Sequence, residues 1–406
     1  MSMDKISYDY KDYPFPENWR EYKLNQLLEV VERPVNMIDD QEYCLITIKR
    51  NFGGIESRGK LTGKKILVKN QFEIREGDFI ISKRQIVHGA CAVVPKNYEG
   101  ATVSNEYDVM NFNNRLLSLF FDYYVQLPFM RRYFYINSDG VHVEKLRFKT
   151  DDWLRQRIRV PSIIEQQHIA SILATSDKAI RLKEQLIIEK KRQKKWLMQN
   201  LLTGKKRLSG FKSDWQKFEV GQVISLSSKK INPIIEKRVF KCIELEHIES
   251  ETGRLLGSTI SSMQKSNKNY FKNGDVLFGK LRPYLKKFYY ATHEGVCSSE
   301  IWVLRPNNKN LLPQYLYYIV QSSQFIEKCC VSSGSKMPRA DWDYVLNLVI
   351  LLPPLSEQTI IAKTLAITDR AIDLHEKQLE ELKKQKKALM QLLLTGIVRV
   401  NTGKVN

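Results

Sequence analysis

Two short stretches carry the side chains best suited to reading a polymer of bases. Lys83-Arg84-Gln85 follows Gly77-Asp78-Phe79-Ile80-Ile81-Ser82, and Lys280-Leu281-Arg282 follows Gly274-Asp275-Val276-Leu277-Phe278-Gly279. Arginine or lysine can pair with the major-groove edge of guanine, and glutamine can pair bidentately with adenine. The same groups can hold phosphate oxygens, which positions a protein without reading sequence, or they can be plain solvated charge. His88 and Tyr284 sit just beyond the two clusters. Ser138-Asp139-Gly140 and Ser332-Ser333-Gly334-Ser335-Lys336 are turns rich in short donors, so Ser138, Ser335 and Lys336 join the candidates for nucleic-acid contact.

Signs of catalysis are weak. Gly54-x4-Gly59-Lys60 has the outline of a phosphate loop, but Leu61 stands where a Mg²⁺-binding Ser or Thr would be needed. There is no Gly-x-Gly-x-x-Gly, and no Asn-Pro-Pro-aromatic segment of the kind that forms an amino-methyltransferase pocket. Asp78 and Asp275 precede Lys83 and Lys280, yet no second carboxylate repeats beside them, so Gly-Asp reads as a tight turn entering a strand. The histidines share no motif; His168 aligns with Ile360 in the repeat described below. Cysteines 44, 91, 242, 297, 329 and 330 form no Cys-x-x-Cys and read as reduced thiols. Neither a catalytic residue, a metal site nor a cofactor of its own is expected for this chain.

The charge agrees with a polyanionic partner. Lys and Arg number 65 against 45 Asp and Glu, giving a formal charge of +20 over 406 residues. A basic enzyme with a solvated surface would also fit that figure. At roughly 100–200 residues per domain the length predicts two to four domains. No apolar run approaches the ~18 residues of a membrane span, and Met1 to Trp19 carries no signal-like apolar core. A cytoplasmic location is expected.

The elements that position the basic clusters come as a repeat. Residues 161–204 align without a gap with 353–396, at a constant offset of 192. Identities include Glu165/Glu357, Gln166/Gln358, Asp177/Asp369 and Thr203-Gly204/Thr395-Gly396. Upstream of each copy the match is looser and the offset drifts, with Ser104-Asn105-Glu106 answering Ser298-Ser299-Glu300. Apolar residues in the repeat recur at spacings of 3 and 4, which predicts a long helix with a heptad stripe. The stripe runs through Leu173, Ile180, Ile187, Leu197 and Leu201 in one copy, and Leu365, Ile372, Leu379, Leu382, Leu389 and Leu393 in the other. Lys183, Lys190 and Lys194 interrupt the first. Pro161 with Ser162-x-x-Glu165 predicts a capping box at the first start, and Gly204 and Gly396 suit left-handed caps at the ends. Two equal stripes predict mutual pairing, and heptads alone permit either direction.

Six segments are predicted along the chain. They are a first variable domain at 1–160, a helix at 161–204, a basic linker at 205–213, a second variable domain at 214–352, a helix at 353–396 and a tail at 397–406. The variable domains read as mixed α+β or α/β. Strands are expected at 43–48, 78–82, 90–94, 275–278 and 301–304, with one helical stretch in each domain near 116–126 and 314–321.

Pro353-Pro354-Leu355-x-Glu357-Gln358, then Ile361-Ala362-x-x-Leu365, then Leu393-Leu394-Thr395-Gly396 resembles the specificity subunits of type I restriction–modification systems. The first copy keeps Pro161, Glu165-Gln166 and Leu201-Leu202-Thr203-Gly204 but has Ile163-Ile164 where the second has Leu355-Ser356. The resemblance implies two target-recognition domains, each reading one half of a bipartite double-stranded DNA sequence. It implies that the two helices pair antiparallel and set the spacer. It also implies two modification (methyltransferase) subunits as partners, methylating adenine from S-adenosylmethionine with base flipping, and two restriction subunits with ATP and Mg²⁺. All that chemistry would sit on the partners, and no membrane is involved. The specificity chain of a type IIB-like enzyme, or a two-helix scaffold that binds only proteins, are the alternatives.

Overall fold

The computed structural model describes residues 9–140, 146–331 and 338–401. Contacts divide the chain into two units, Met1–Leu182 with Leu379–Asn406, and Lys183–Gln378.

In the first unit the Gly-Asp turn starts the central strand. Gly77 takes φ 86°, a left-handed conformation that glycine adopts without strain. Asp78 then accepts the Arg75 N–H at 2.7 Å and both guanidinium nitrogens of Arg33, at 2.6 and 3.1 Å. The strand Phe79–Ser82 is buried on both faces, which explains its unbroken apolar run. Phe79 and Ile81 face an aromatic core with Phe120, Phe121, Phe129 and Trp153, and this core also takes in Ile169, Leu173, Leu393 and Leu394 of the long helices. Ile80 faces the other way, toward Ile46, Ile74, Val103 and Val109. Each such side chain contributes about 1.5–3 kcal/mol by leaving water. The antiparallel sheet runs Leu28–Val30, Tyr107–Phe112, Phe79–Ser82, Cys91–Val93. A second sheet runs Ile55–Thr62, Glu42–Ile48, Thr102–Ser104, Gln71–Glu73, and its middle pair is parallel.

The second unit repeats the plan. Gly274 has φ 89°, and Asp275 accepts the Lys272 N–H at 2.8 Å and grips Arg305 through two contacts of 2.6 Å. Val276 and Phe278 join one core, while Leu277 joins another. The antiparallel sheet runs Ile224–Leu226, Ile301–Pro306, Val276–Gly279, Phe288–Tyr290. The second sheet gains a fifth strand, Lys230–Ile231, beside Lys268–Phe271.

The helical content of the variable regions exceeds the expected single stretch. Ser118–Tyr124 is followed by Pro128–Ile136, and Pro313–Ile319 by Ser323–Cys329. Proline at the first turn starts Pro128–Ile136, and the Ser322 side chain caps Ser323–Cys329. Gly54-x4-Gly59-Lys60 lies in the hairpin of Glu42–Ile48 with Ile55–Thr62, and only a single 3-10 turn, Gly63–Lys65, follows it, not an α-helix that could cradle a phosphate.

The long helices span Ile163–Leu201, 39 residues, and Leu355–Leu394, 40 residues. Gly204 and Gly396 turn the chain at φ 70° and 73°. Gln166 and Gln358 are fully buried and do the same work in their own units. Gln166 accepts from Leu117 N and donates to the Arg115 and Pro161 carbonyls. Gln358 accepts from Leu312 N and donates to Asn310 and Pro353. The capping box forms only in half. Ser162 Oγ accepts from Glu165 N at 3.3 Å, but the Glu165 carboxylate is held by Arg399 at 2.6 and 2.7 Å and is not free to reach back.

Each unit by itself shows the helices antiparallel. In the first, Glu165 meets Arg399 and Asp177 meets Lys386. In the second, Lys183 meets Gln378, Lys191 meets Glu376, Lys194 meets Asp369 and Arg207 meets Glu357. Leu173, Ile187, Leu201, Leu365, Ile372 and Leu393 are buried, while Ile180, Leu197, Leu379, Leu382 and Leu389 are half-buried. The lysines in the stripe are not defects: Lys194 is only 14% exposed and is bound by Asp369, whose other oxygen accepts from Tyr318. Arg207, in the predicted linker, is likewise part of the packed structure.

Candidate nucleic-acid interface

Both basic clusters begin where the central strand of a unit ends. Lys83 N donates to Glu106 O at 3.0 Å, and Lys83 O accepts from Phe148 N at 3.0 Å. Lys280 N donates to Glu300 O at 3.0 Å, and Lys280 O accepts from Ala340 N at 2.8 Å. The backbone is thus pinned from both sides in the same way, and only the side chains differ.

In the first unit Lys83 Nζ lies 2.9 Å from Asp108. Arg84 is 69% exposed and lies across Glu106, with contacts of 2.7 and 3.3 Å. That contact raises the guanidinium pKa and holds the Glu106 carboxyl below its ordinary 4.5. Gln85 and His88 are half-buried, and their Oε1 and Nε2 atoms are buried without a hydrogen-bond partner among the described residues. Ser138 pairs with Phe148 in a short ribbon, which sets it beside Lys83 through the Phe148 N–H, while its own Oγ donates to Phe134 O at 2.6 Å.

In the second unit the position answering Asp108 is Trp302, so no carboxylate meets Lys280 there, and among the described residues Lys280 has no ion pair. Glu300, the counterpart of Glu106, is instead gripped by Arg339 at 3.0 and 3.4 Å. Arg282 is exposed, sits at φ 52°, and its N–H donates to Pro338 O at 2.8 Å. Among the described residues its guanidinium has no ion pair. Tyr284 is 52% exposed on the short helical turn that follows. Ser335 and Lys336 lie outside the described residues.

The structure therefore gathers Lys83, Arg84, Gln85, His88 and Ser138 at one end of the first unit's sheet, and Lys280, Arg282 and Tyr284 at the equivalent end of the second. Arg339 and the left-handed residues Asn51, Phe52 and Glu251 join them, and of these four only Asn51 is of a type that favours such a backbone. Among the described residues no group of three or more His, Cys, Asp or Glu could hold a metal ion, and no helix is long and apolar enough to cross a membrane. All six cysteines are unpaired.

The chain matches the type I restriction modification DNA specificity domain (Methylase_S) twice, over residues 16–192 and 212–384. It is 24% identical over 422 aligned residues to the type I restriction enzyme MjaVIII specificity subunit of Methanocaldococcus jannaschii, covering 95% of this chain and 94% of that one. The EcoDI specificity subunit of Escherichia coli is 25% identical over 48% of this chain and 44% of its own. The HsdS subunit from Thermoanaerobacter tengcongensis shares the fold with a TM-score of 0.53 at 18% identity, covering 95% of this chain and 99% of that chain. A chain from a study of complex assembly and conformational transition in the type I R-M system does so with a TM-score of 0.60 at 19% identity, covering 95% and 100%. Two domain matches that together span most of the sequence, on a fold built twice, place this chain in the type I restriction–modification DNA specificity family, as a specificity subunit.

Proposed function

We propose that the two units read the two halves of a bipartite, asymmetric double-stranded DNA target, and that the paired helices set the gap between the halves. The observation that carries this reading is a backbone plan repeated twice around different side chains. Lys83-Arg84-Gln85 and Lys280-Leu281-Arg282 leave equivalent strands, pinned by equivalent carbonyls and amides. One scaffold carrying two side-chain sets suits two different half-sequences. Arg84 and Arg282 are assigned to base edges, while Lys83 and Lys280 are assigned to phosphates. Ser138, Ser335 and Lys336 are assigned to the backbone, with Gln85, His88 and Tyr284 at the rim of the same surface.

The chain makes no bond itself in this reading. Two modification subunits bind it and methylate adenine using S-adenosylmethionine, drawing the target base out of the stack. Two restriction subunits with ATP and Mg²⁺ complete a nuclease. The complex acts in the cytoplasm.

Co-expression with the cognate methyltransferase gene, followed by sequencing that detects methylated adenine, tests the reading. A motif with two specific blocks and a fixed gap is the expected result. A short continuous motif would mean that the partner reads the DNA, and a stable complex without methylation would leave the chain a protein scaffold.

A further inference from the structure

The loop after each basic cluster is locked by a contact that the two units share in backbone but not in side chains. In the first unit Ile86–His88 forms a single helical turn, closed by Gly89 at φ 74°. In the second, Pro283–Leu285 forms the same turn, closed by Lys286 at φ 51°. A second left-handed residue then reaches over from the loop that follows the strand Glu42–Ile48, or its counterpart Lys241–Ile243. Phe52, at φ 56°, donates its N–H to Gly89 O at 2.8 Å, and Glu251, at φ 67°, donates to Lys286 O at 3.0 Å. Non-glycine residues rarely adopt this conformation, and such strain persists only where the surroundings over-determine it. Its recurrence at matching places in two units of dissimilar sequence points to selection for the geometry.

The side chains reinforce the lock by unrelated means. The Phe52 ring packs on Gly89, where a Cβ would come within 3.1 Å of it, and Arg131 lies over the ring at 4.5 Å. Glu251 instead pairs with Lys286 at 2.6 Å. Arg254, three residues on, is fixed to the second long helix through Glu376 at 2.5 Å and Asp373 at 3.0 Å.

We propose that Phe52 and Glu251 are positioning residues for target specificity, each clamping the turn that follows the basic segment from which its unit reads DNA. Arg254 ties the second clamp to the helix. The backbone clamp is the constant part and the side chains displayed beside it are the variable part, so a new specificity needs new side chains on the basic segment but not a new loop. This rests on the reading of the units as DNA-recognition domains.

The test uses the full chain co-expressed with its modification subunits, with methylated adenine mapped across the host genome. Glu251→Val should disfavour the left-handed conformation, because a β-branched residue resists it. It is expected to reduce base discrimination by about tenfold at positions within one block, with the other block and the gap unchanged. Glu251→Gly restores the backbone and is expected to restore that block. Phe52→Val makes the same test on the other block, which covers the case in which one substitution unfolds its own unit. Assembled complexes of both valine variants with unaltered blocks would overturn the clamp alone. A wild-type complex that marks no bipartite motif would overturn the reading of the units, and the clamp's role with it.

Discussion

Arg207 and Glu357, 150 positions apart, form a two-pronged ion pair with both contacts at 2.7 Å, and Glu357 is fully buried. Shifted by the repeat offset in opposite senses, Arg399 and Glu165 make the same pair in the other unit. The arginine that follows one long helix thus anchors the glutamate that begins its antiparallel neighbour. Glu357 also accepts from Trp215 Nε1 at 3.2 Å, whereas the Trp19 Nε1 of the first unit is buried without a hydrogen-bond partner among the described residues.

Replacing Arg207 with alanine leaves the buried Glu357 carboxylate with only its Trp215 donor and should lower the unfolding midpoint. Arg399→Ala strands the Glu165 carboxylate, which is also buried and has no tryptophan donor among the described residues to fall back on, so its loss should be at least as large. Urea unfolding of the purified chain measures both, and a midpoint for Arg399→Ala close to that of the wild type would contradict the pairing.

Gly396→Ala should be more damaging than Gly204→Ala. Both positions are left-handed, which costs an L-residue about 1 kcal/mol. A Cβ at 396 would also lie 2.4 Å from Pro16 Cδ, whereas at 204 the nearest atom is at 3.5 Å on Trp215. Thermal melting of the two variants should separate them by several degrees.

The Arg84–Glu106 contact sets a pH dependence. The hydrogen bond from Arg84 lowers the Glu106 pKa below 4.5, so the folded state binds its proton less readily than the unfolded chain. The associated stability is fully present above the unfolded value and is lost as pH falls through the lowered folded value. The stability gap between wild type and Glu106→Gln should be flat above pH 4.5 and shrink below it. A gap that shrinks on going from acid to neutral pH would contradict the pairing.

DNA binding should respond differently to Arg282 and Lys280. Arg282→Ala is expected to cost about 1–3 kcal/mol on the cognate target and to relax one base position. Lys280→Ala should weaken all sequences alike and lower the slope of log affinity against log salt by about one. Titrations of the assembled methyltransferase at several salt concentrations distinguish the two. If Arg282→Ala has neither effect, that residue does not touch DNA.

The long helices were legible because a heptad stripe and an ungapped repeat are properties of the sequence itself. Their ion pairs were legible in principle: three positions past Gly204 and Gly396, the same offset brings Arg207 onto Arg399. Only half of the predicted capping box forms, because its glutamate is claimed by an arginine that local sequence does not bring near. The unbroken apolar run of Phe79–Ile81 announces a strand covered on both faces, and the structure covers it. Phe52 and Glu251 were not legible, since neither residue type signals a left-handed backbone. Arg339 was hidden for another reason: it does for Glu300 what Arg84 does for Glu106, from a different part of the chain.

The first unit is assembled from two distant pieces of chain, while the second is a single stretch, Lys183–Gln378. Leu393, Leu394 and Val400 complete the packing around Ile169, Leu173 and Trp19. During synthesis at about 5–20 residues per second, those side chains leave the ribosome roughly 10–40 s after Leu182. Over that interval the nascent amino-terminal half exposes an unfilled aromatic core, and the later half can close first. The half made first is therefore the half finished last, and chaperone demand should concentrate on it.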